Sequence, residues 1–303
     1  IRDRSPSRGL GDVYKRQIEV KNFNPYNNNK IRSYKLMLNE PRRIINRAKD
    51  RLKQGDDIRV FNVFELLKPS VIKIVRQSGY NMIKVDAEHF LHDPDTLNNF
   101  LIMARDNDLS PAVTIPTVSR PLVSTLLDAG AQGICLAHAE TLSQVEELVK
   151  WMKYPPIGER ALAPASNAEY IIDDPLFHCK SENKSTLLIL KIESKKGVEN
   201  AESLLSNEWV DAIIFGPGDL AADMGLHGQW EHNNVIKTIQ KVCDIALEKG
   251  KAVEAPSLAT NRSEYTSQRE AGYQIFGPHR GTEYDLLRKG ALEAISYLLP
   301  ENK

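Results

Sequence analysis

From residue 58 onward, short β-branched apolar runs alternate with longer amphipathic segments, and this rhythm limits the fold more than any other feature of the chain. The runs are IRVFNVF (58–64), MIKVDA (82–87), PAVTIP (111–116), GICLAH (133–138), LLILKIE (187–193), DAIIFGP (211–217), KAVEAP (251–256) and YQIFGP (273–278). The segments between them have helical spacing, as in TLSQVEELVKWM (141–152) and NNVIKTIQKVCDIALEKG (233–250), where Gly250 marks a stop. Strict alternation of strand and helix implies a parallel sheet, and eight units predict a closed (β/α)8 TIM barrel. A doubly wound open sheet is the alternative, but no GxGxxG follows the first strand to support a dinucleotide fold. The longest gap lies between the fourth and fifth runs. Its second half, from Tyr154 to Lys184, reads as a loop at or near the catalytic face.

Ahead of this pattern, residues 1–17 (IRDRSPSRGLGDVYKRQ) are rich in Arg, Ser and Gly, lack apolar periodicity, and read as non-native, artefactual sequence. Residues 18–55 read as an N-terminal extension that ends in a charged helix, and 56–300 as a single barrel domain. Forty Lys and Arg balance forty Asp and Glu, so no global field draws the chain to nucleic acid or to an anionic membrane. No apolar run approaches the roughly 18–20 residues of a spanning helix. The three cysteines, Cys135, Cys179 and Cys243, are scattered, which fits a reducing cytoplasm better than a disulfide framework.

Barrel active sites are built at the C-terminal ends of the strands. There the sequence places Asp86, Glu88 and His89 after the second run, His138 at the fourth, Glu193 at the fifth, Asp219 after the sixth, Glu254 at the seventh, and His279 and Arg280 at the eighth. Glu193 ends a strongly apolar strand, where a carboxylate is costly unless paired or metal-bound. Lys191 lies two residues earlier and shares its face. Two carboxylates from adjacent strands suit an oxygen-loving divalent ion such as Mg²⁺ or Mn²⁺, and Co²⁺ is also compatible. Each acid alone has a plainer reading: Glu193 as a salt-bridge partner, Asp219 as a helix N-cap.

The segments VDAEHF (85–90), LLDAGAQGICLAHAET (126–141), KYPPIGERA (153–161), LKIESKKGVEN (190–200), VDAIIFGPGDLAADMG (210–225) and GTEYDLLRKGA (281–291) together resemble the HpcH/HpaI aldolase/citrate lyase family, over about residues 58–292. The resemblance implies a barrel of the phosphoenolpyruvate/pyruvate type, usually in homo-oligomers, and a metal-dependent class II aldolase. Such an enzyme cleaves a 4-hydroxy-2-oxo acid to pyruvate, or a related 2-oxo acid, and an aldehyde. It assigns Glu193 and Asp219 as metal ligands, with Asp86 and Glu88 around the metal's waters. His89 is implied as the catalytic histidine and Asp128 as the residue that orients it. Gly218 is implied at the substrate carboxylate, and Arg160 as a further substrate contact.

The chain also departs from the family pattern. Ile115 stands where the family has a third-strand arginine, Lys191 where it commonly has glutamine, and Glu254 where it has a small residue. Pro278-His279-Arg280 makes the last strand end bulkier and more polar. Lys191 is therefore read as a partial catalytic substitute for the arginine, with Arg120 and Arg280 as other candidates, and Glu254 and Arg280 as pocket residues. These departures keep two further readings open. One is a related barrel enzyme of changed chemistry: a CoA-ester lyase, a condensing synthase or a decarboxylase. The other is a barrel that binds without catalysing.

Overall fold

In the computed structural model, residues 45–277 and 282–298 are described, and they belong to one structural unit beginning at Ile44. All eight expected strands form: β1 (Ile58–Val63), β2 (Met82–Asp86), β3 (Ser110–Ile115), β4 (Gly133–Leu136), β5 (Leu187–Ile192), β6 (Ala212–Phe215), β7 (Ala252–Val253) and β8 (Ile275–Phe276). They pair in parallel in the order β7-β6-β5-β4-β3-β2-β1-β8. The seam between β7 and β8 is joined by Gln274 N–H to Val253 O (3.1 Å) and Ala255 N–H to Ile275 O (2.9 Å). The result is the eight-stranded barrel that the alternation predicts. Its Arg280 corner, residues 278–281, lies outside the described residues.

Strand parity divides the core in two. Ile58, Val60, Met82, Ala112, Cys135, Leu187, Ile189, Ala212, Ile214 and Ile275 fill the barrel interior. Residues of opposite parity, including Val85, Val113, Ile115, Ile134, Leu188, Leu190 and Ile213, pack outward against the helices. Burial on both faces explains why the strands read as continuous apolar runs rather than as alternating ones.

The barrel's N-terminal end is closed by α1 (Arg47–Lys53), which lies in the charged stretch ahead of the first strand. Ala48 sits fully buried in the inner core. Asn46 Nδ2 donates to Gln132 O (2.8 Å) and Ser185 O (2.7 Å), and Ala48 N–H donates to Ser110 Oγ (2.9 Å). Lys49 Nζ reaches Thr186 O (2.9 Å) and pairs with Asp211 (2.7 Å). All of these partners stand at or just before strand starts, so α1 caps otherwise open backbone groups there. Helix residues 47–53 are thus built into the barrel's floor, although the sequence pattern placed them in an extension.

After β1, β2, β3 and β4 come, in turn, α2 (Pro69–Gln77), α3 (Pro94–Asp106), α4 (Arg120–Asp128) and α5 (Leu142–Met152), all running back towards the N-terminal end. Their starts follow elementary capping. Asp93, Ser119 and Thr141 each accept a backbone N–H from three residues on, and Pro follows at the first turn of α3 and α4. The segment after α5, expected as a loop near the catalytic face, instead packs at the opposite end. Arg105, in the last turn of α3, donates to Ser166 O (2.6 Å), and Asn183 bonds to both backbone groups of Tyr154. It also contains α6 (Pro175–Ser185), whose apolar and polar residues do not separate into faces but whose start is capped by Asp174. The direction of α5 is the reason for this placement: a helix leaving the mouth delivers its successor to the floor.

Lys153 is buried in that floor and donates to Asn183 O, Thr186 O and Thr186 Oγ1 at 2.9, 3.2 and 2.7 Å. Burial, reinforced by Lys49, pushes its ammonium down to about 7, against the pull of Asp211 and Glu182. A lysine whose folded pKa lies below its ordinary value of 10.5 binds fewer protons folded than unfolded within that window, so stability rises with pH across it. The stability of wild type relative to Lys153→Met is expected to increase from about pH 7 to about pH 10, with a limiting slope of about 1.4 kcal/mol per pH unit. Urea denaturation of both proteins at several pH values measures this, and a difference independent of pH would contradict it.

Candidate active site

The C-terminal ends of the strands surround a cavity of about 720 Å³ lined by residues from seven of the eight strands or the turns that follow them, Asp86, His89, Thr114, Lys191, Asp219 and Glu254 among them. Behind the lining residue Lys191, Glu193 directly follows β5 and is only 1% exposed. Its Oε1 accepts the backbone N–H of His138 (2.7 Å) and lies 3.0 Å from His138 Nδ1. Lys191 Nζ stands 2.8 Å from Glu193 Oε2, an ion-pair contact without hydrogen-bond alignment, and 3.1 Å from Glu88 Oε2. A buried carboxylate of this kind is tolerated only because cationic and N–H groups surround it.

The local backbone is shaped to seat this carboxylate. A Cβ on Gly216 would stand 2.8 Å from Glu193 Cβ and closer still to Oε2. His138, at the end of β4, adopts the left-handed region (φ 46°), which turns its N–H and ring towards Glu193. Its hydrogen bond to the Glu193 carboxylate raises the His138 imidazole above its ordinary value, against the opposing effect of burial. Burial disfavours the charge on Lys191, but Glu193 and Glu88 outweigh it and hold the ammonium well above the ordinary lysine range. Lys191 is a permanent cation between two carboxylates.

Two groups of donor atoms lie within 4.8 Å of one another: Glu88, His138 and Glu193, and Asp86, Glu88 and His89. Glu88 joins them. Asp86 Oδ1 accepts the backbone N–H of both Glu88 and His89 (2.8 Å each), and so folds the loop after β2 back on itself. His89 Nε2 lies 3.7 Å from Glu88 Oε2, with more than half of its side chain open to the cavity or solvent. Asp219 and Gly218 stand in the first turn of α9, the helix Pro217–Asp223, and line the same cavity, but Asp219 joins neither group. The N-cap there is Gly216, so Asp219 does not take the plainer role of N-cap. (Between β5 and α9 the chain forms the short helices α7, Lys195–Glu199, and α8, Ala201–Leu205.)

Three expectations need correction. Asp128 is the last residue of α4 and therefore sits at the floor, where its carboxylate binds Arg160 Nη2 at 2.7 Å. Arg160 is fully buried there, 3.5 Å from Glu182 and stacked 4.7 Å over the Tyr154 ring. The two form a structural pair away from the cavity, and it is Asp86 that holds the His89 backbone. The third concerns β3. Ile115 is buried in the outer layer, while Thr114, one residue earlier, lines the cavity. Strand parity puts threonine, not isoleucine, at the mouth. Glu254 lines the cavity and also accepts the Phe215 N–H (3.0 Å), tying β6 to β7. Arg120 packs over Trp151 at 5.5 Å and is not among the lining residues.

Sequence reasoning missed His138, Thr114, Lys84 and Asn62 as site residues. Lys84 could have been found, because it lies two residues before Asp86 in an apolar strand and so shares its inward face. Lys84 and Lys191 both face the buried Cys135 thiol, which burial pushes up to about 11 while the two ammonium groups pull it down.

Gly216→Ala is expected to lower stability by about 1–3 kcal/mol through overpacking and to weaken divalent-ion binding by displacing Glu193. Gly218→Ala, where nothing lies within 4 Å of the added carbon, should leave stability unchanged. Thermal unfolding and ion titration of the two variants check this contrast.

Comparison with known proteins agrees with this geometry. The profile of the HpcH/HpaI aldolase/citrate lyase family matches residues 63–276. The chain is similar to a hydroxypyruvate/pyruvate aldolase of Roseobacter denitrificans, at 29% identity over 59% of this chain and 70% of the relative. It is 31% identical to a 5-keto-4-deoxy-D-glucarate aldolase of Escherichia coli O157:H7, over 61% of this chain and 72% of that protein. Among solved structures, an HpcH/HpaI aldolase from Desulfitobacterium hafniense DCB-2 superposes with a TM-score of 0.76 at 27% identity, over 84% of this chain and 98% of its own. The family match runs from the last residue of β1 to the end of β8, and the chain belongs to the HpcH/HpaI aldolase/citrate lyase family.

Proposed function

We propose that this protein is a divalent-metal-dependent carbon–carbon lyase that cleaves a 4-hydroxy-2-oxo acid into pyruvate, or a related 2-oxo acid, and an aldehyde. The observation that carries this reading is the buried Glu193 carboxylate, whose Oε2 lacks a hydrogen bond while Glu88 and His138 converge beside it. A carboxylate-rich donor set with an already seated cation, Lys191, has the charge and oxygen chemistry that Mg²⁺, Mn²⁺ or Co²⁺ requires. Glu193 and Asp219 would hold the ion, with Asp86 and Glu88 around its waters. Bound there, the ion supplies Lewis-acid polarisation of the 2-oxo group.

The chain's own residues carry the remaining work. His89, on a loop fixed by Asp86 and open to the cavity, takes the proton of the C4 hydroxyl as the C3–C4 bond breaks, and a proton returned to C3 completes the 2-oxo acid. The backbone of Gly218 lies open at the cavity wall for the substrate carboxylate. Lys191 steadies negative charge developing on substrate oxygen, the task of the arginine that β3 lacks. The changed third-strand and seventh-strand positions, Ile115 and Glu254, favour the second reading, in which the same site serves a CoA-ester lyase, a condensing synthase or a decarboxylase. A binding protein without catalysis is the weakest reading, since a buried cluster of Glu88, Lys191 and Glu193 has no stabilising role of its own.

The protein is further proposed to work in the cytoplasm as a homo-oligomer. Free Cys135, Cys179 and Cys243 fit a reducing compartment. Exposed Leu287, Leu292, Ile295 and Leu298, on and after α12 (Glu283–Ala294), offer an apolar surface for a second copy. (α10, Asn233–Glu248, and α11, Arg262–Glu270, precede it.)

Pyruvate release from a panel of 4-hydroxy-2-oxo acids tests the reading. Release is expected with Mg²⁺ or Mn²⁺, to stop with EDTA, and to fall on the order of 100-fold or more in Glu193→Ala. No release from any of these acids, with ion binding intact, would move the assignment to the second reading. Lys191→Ala is expected to tighten divalent binding, because the ammonium competes for the carboxylates, and to lower kcat/KM. An unchanged kcat/KM would leave Lys191 as a charge-neutralising group alone.

A further inference from the structure

The start of α12 is tied to the barrel mouth by one carboxylate. Barrel closure pairs β8 with β1, so the helix that follows β8 begins beside the end of β1. Glu283, the first residue of α12, is buried, whereas Tyr284, Leu287 and Leu292 of the same helix are exposed. Three consecutive backbone N–H groups converge on the Glu283 carboxylate. Phe64 N–H donates to both oxygens, at 3.1 and 3.0 Å, while Glu65 (2.7 Å) and Leu66 (2.9 Å) donate to Oε1. The Tyr284 hydroxyl adds a bond to Glu65 Oε2 (2.8 Å). The turn between β1 and α2 is thus folded around an anion, with N–H groups in place of the water that the carboxylate gives up.

This turn carries Phe64 into the cavity wall. Its ring meets the Phe90 ring edge-on, with centroids 5.5 Å apart. Phe90 directly follows His89, which lines the same cavity. β1 and β2 stay in register up to Val63 and Val85, so the two turns leave the barrel side by side. Asp86 holds the His89 backbone from within its own loop (2.8 Å), and the Phe64–Phe90 contact braces that loop from the neighbouring one. The His89 ring is more than half exposed and lies 3.7 Å from Glu88, so its place depends on the loop that carries it.

We propose that Glu283 is a positioning residue for His89, acting through the turn 64–66 and the Phe64–Phe90 contact, so that the start of the last helix sets the geometry of proton transfer at the mouth. Glu283 is not among the cavity-lining residues and touches neither substrate nor ion. The inference rests on the aldolase reading for the task of His89, but the positioning itself is read without turnover.

Two variants break the chain of contacts at different links. Glu283→Gln keeps the side-chain shape and removes the charge that gathers the three N–H groups. Phe64→Leu keeps those bonds and removes the ring contact. The carbon-bound ring protons of His89, assigned by their loss in His89→Gln, are followed by NMR in the full chain, with those of His178, on α6 at the floor, as reference. Both variants are expected to shift the His89 signals and leave those of His178 in place. With Mg²⁺ present, kcat for pyruvate release should fall about tenfold, with KM and divalent-ion affinity unchanged. The double variant should be no slower than the slower single one, because both substitutions interrupt one path. Unshifted His89 signals, or losses in kcat that multiply in the double variant, would overturn the proposal. Shifts that His178 shares in a folded variant would make the effect a general loosening and overturn it too. Where Glu283→Gln fails to fold, Phe64→Leu decides on the same signals. Absence of pyruvate release from wild type is the separate failure of the aldolase reading, and the His89 signals then remain as the test.

Discussion

A carboxylate held in the barrel wall dictates the arrangement around it. Glu193 is almost fully buried, and a charge there is tolerable only when surrounding groups replace water. The chain meets that demand from four directions. His138 supplies a backbone N–H and a ring nitrogen, Lys191 an ammonium, Gly216 the space, and Glu88 a second carboxylate that shares the ammonium. The site is assembled from the ends of β2, β4, β5 and β6, which only closure of the barrel brings together.

The two ends of the barrel divide stability from function, as is usual for this architecture. At the floor, α1, Lys49, Lys153 and the Arg160–Asp128 pair tie the strand starts and the segment after α5 together. At the mouth, charges are gathered but incompletely satisfied: Glu193 Oε2 and Asn62 Oδ1 lack hydrogen bonds. Unsatisfied groups destabilise a fold, and the two at the mouth stand where a ligand can supply the missing partners.

Much of this was legible in the sequence because strand ends are fixed by alternation. Parity along β5 put Lys191 and Glu193 on one face, their positions after apolar runs put Asp86 and Asp219 at strand ends, and the eight apolar runs gave the barrel. What failed was direction and exact parity. Asp128 and Arg160 lie in segments that resemble the family strongly, yet a helix leading away from the mouth carries its last residue to the floor. Ile115 and Thr114 differ by one position, and one position reverses the face of a strand. His138 was visible as a polar strand end, but its role depends on a left-handed backbone turn that no residue type announced. Lys84 looked like an ordinary charged residue until the inner core around Met82 and Cys135 showed which way it faces. Arg280 falls among the residues that are not described.

A mouth that enolises a 2-oxo acid, as proposed, can be watched at that step without an aldehyde acceptor. Pyruvate incubated with the protein in D₂O is followed by proton NMR through its methyl resonance. Metal-dependent loss of the methyl signal is expected as deuterium enters at C3, stopped by EDTA. A methyl signal that persists with saturating Mg²⁺ or Mn²⁺ would rule out enolisation at this site.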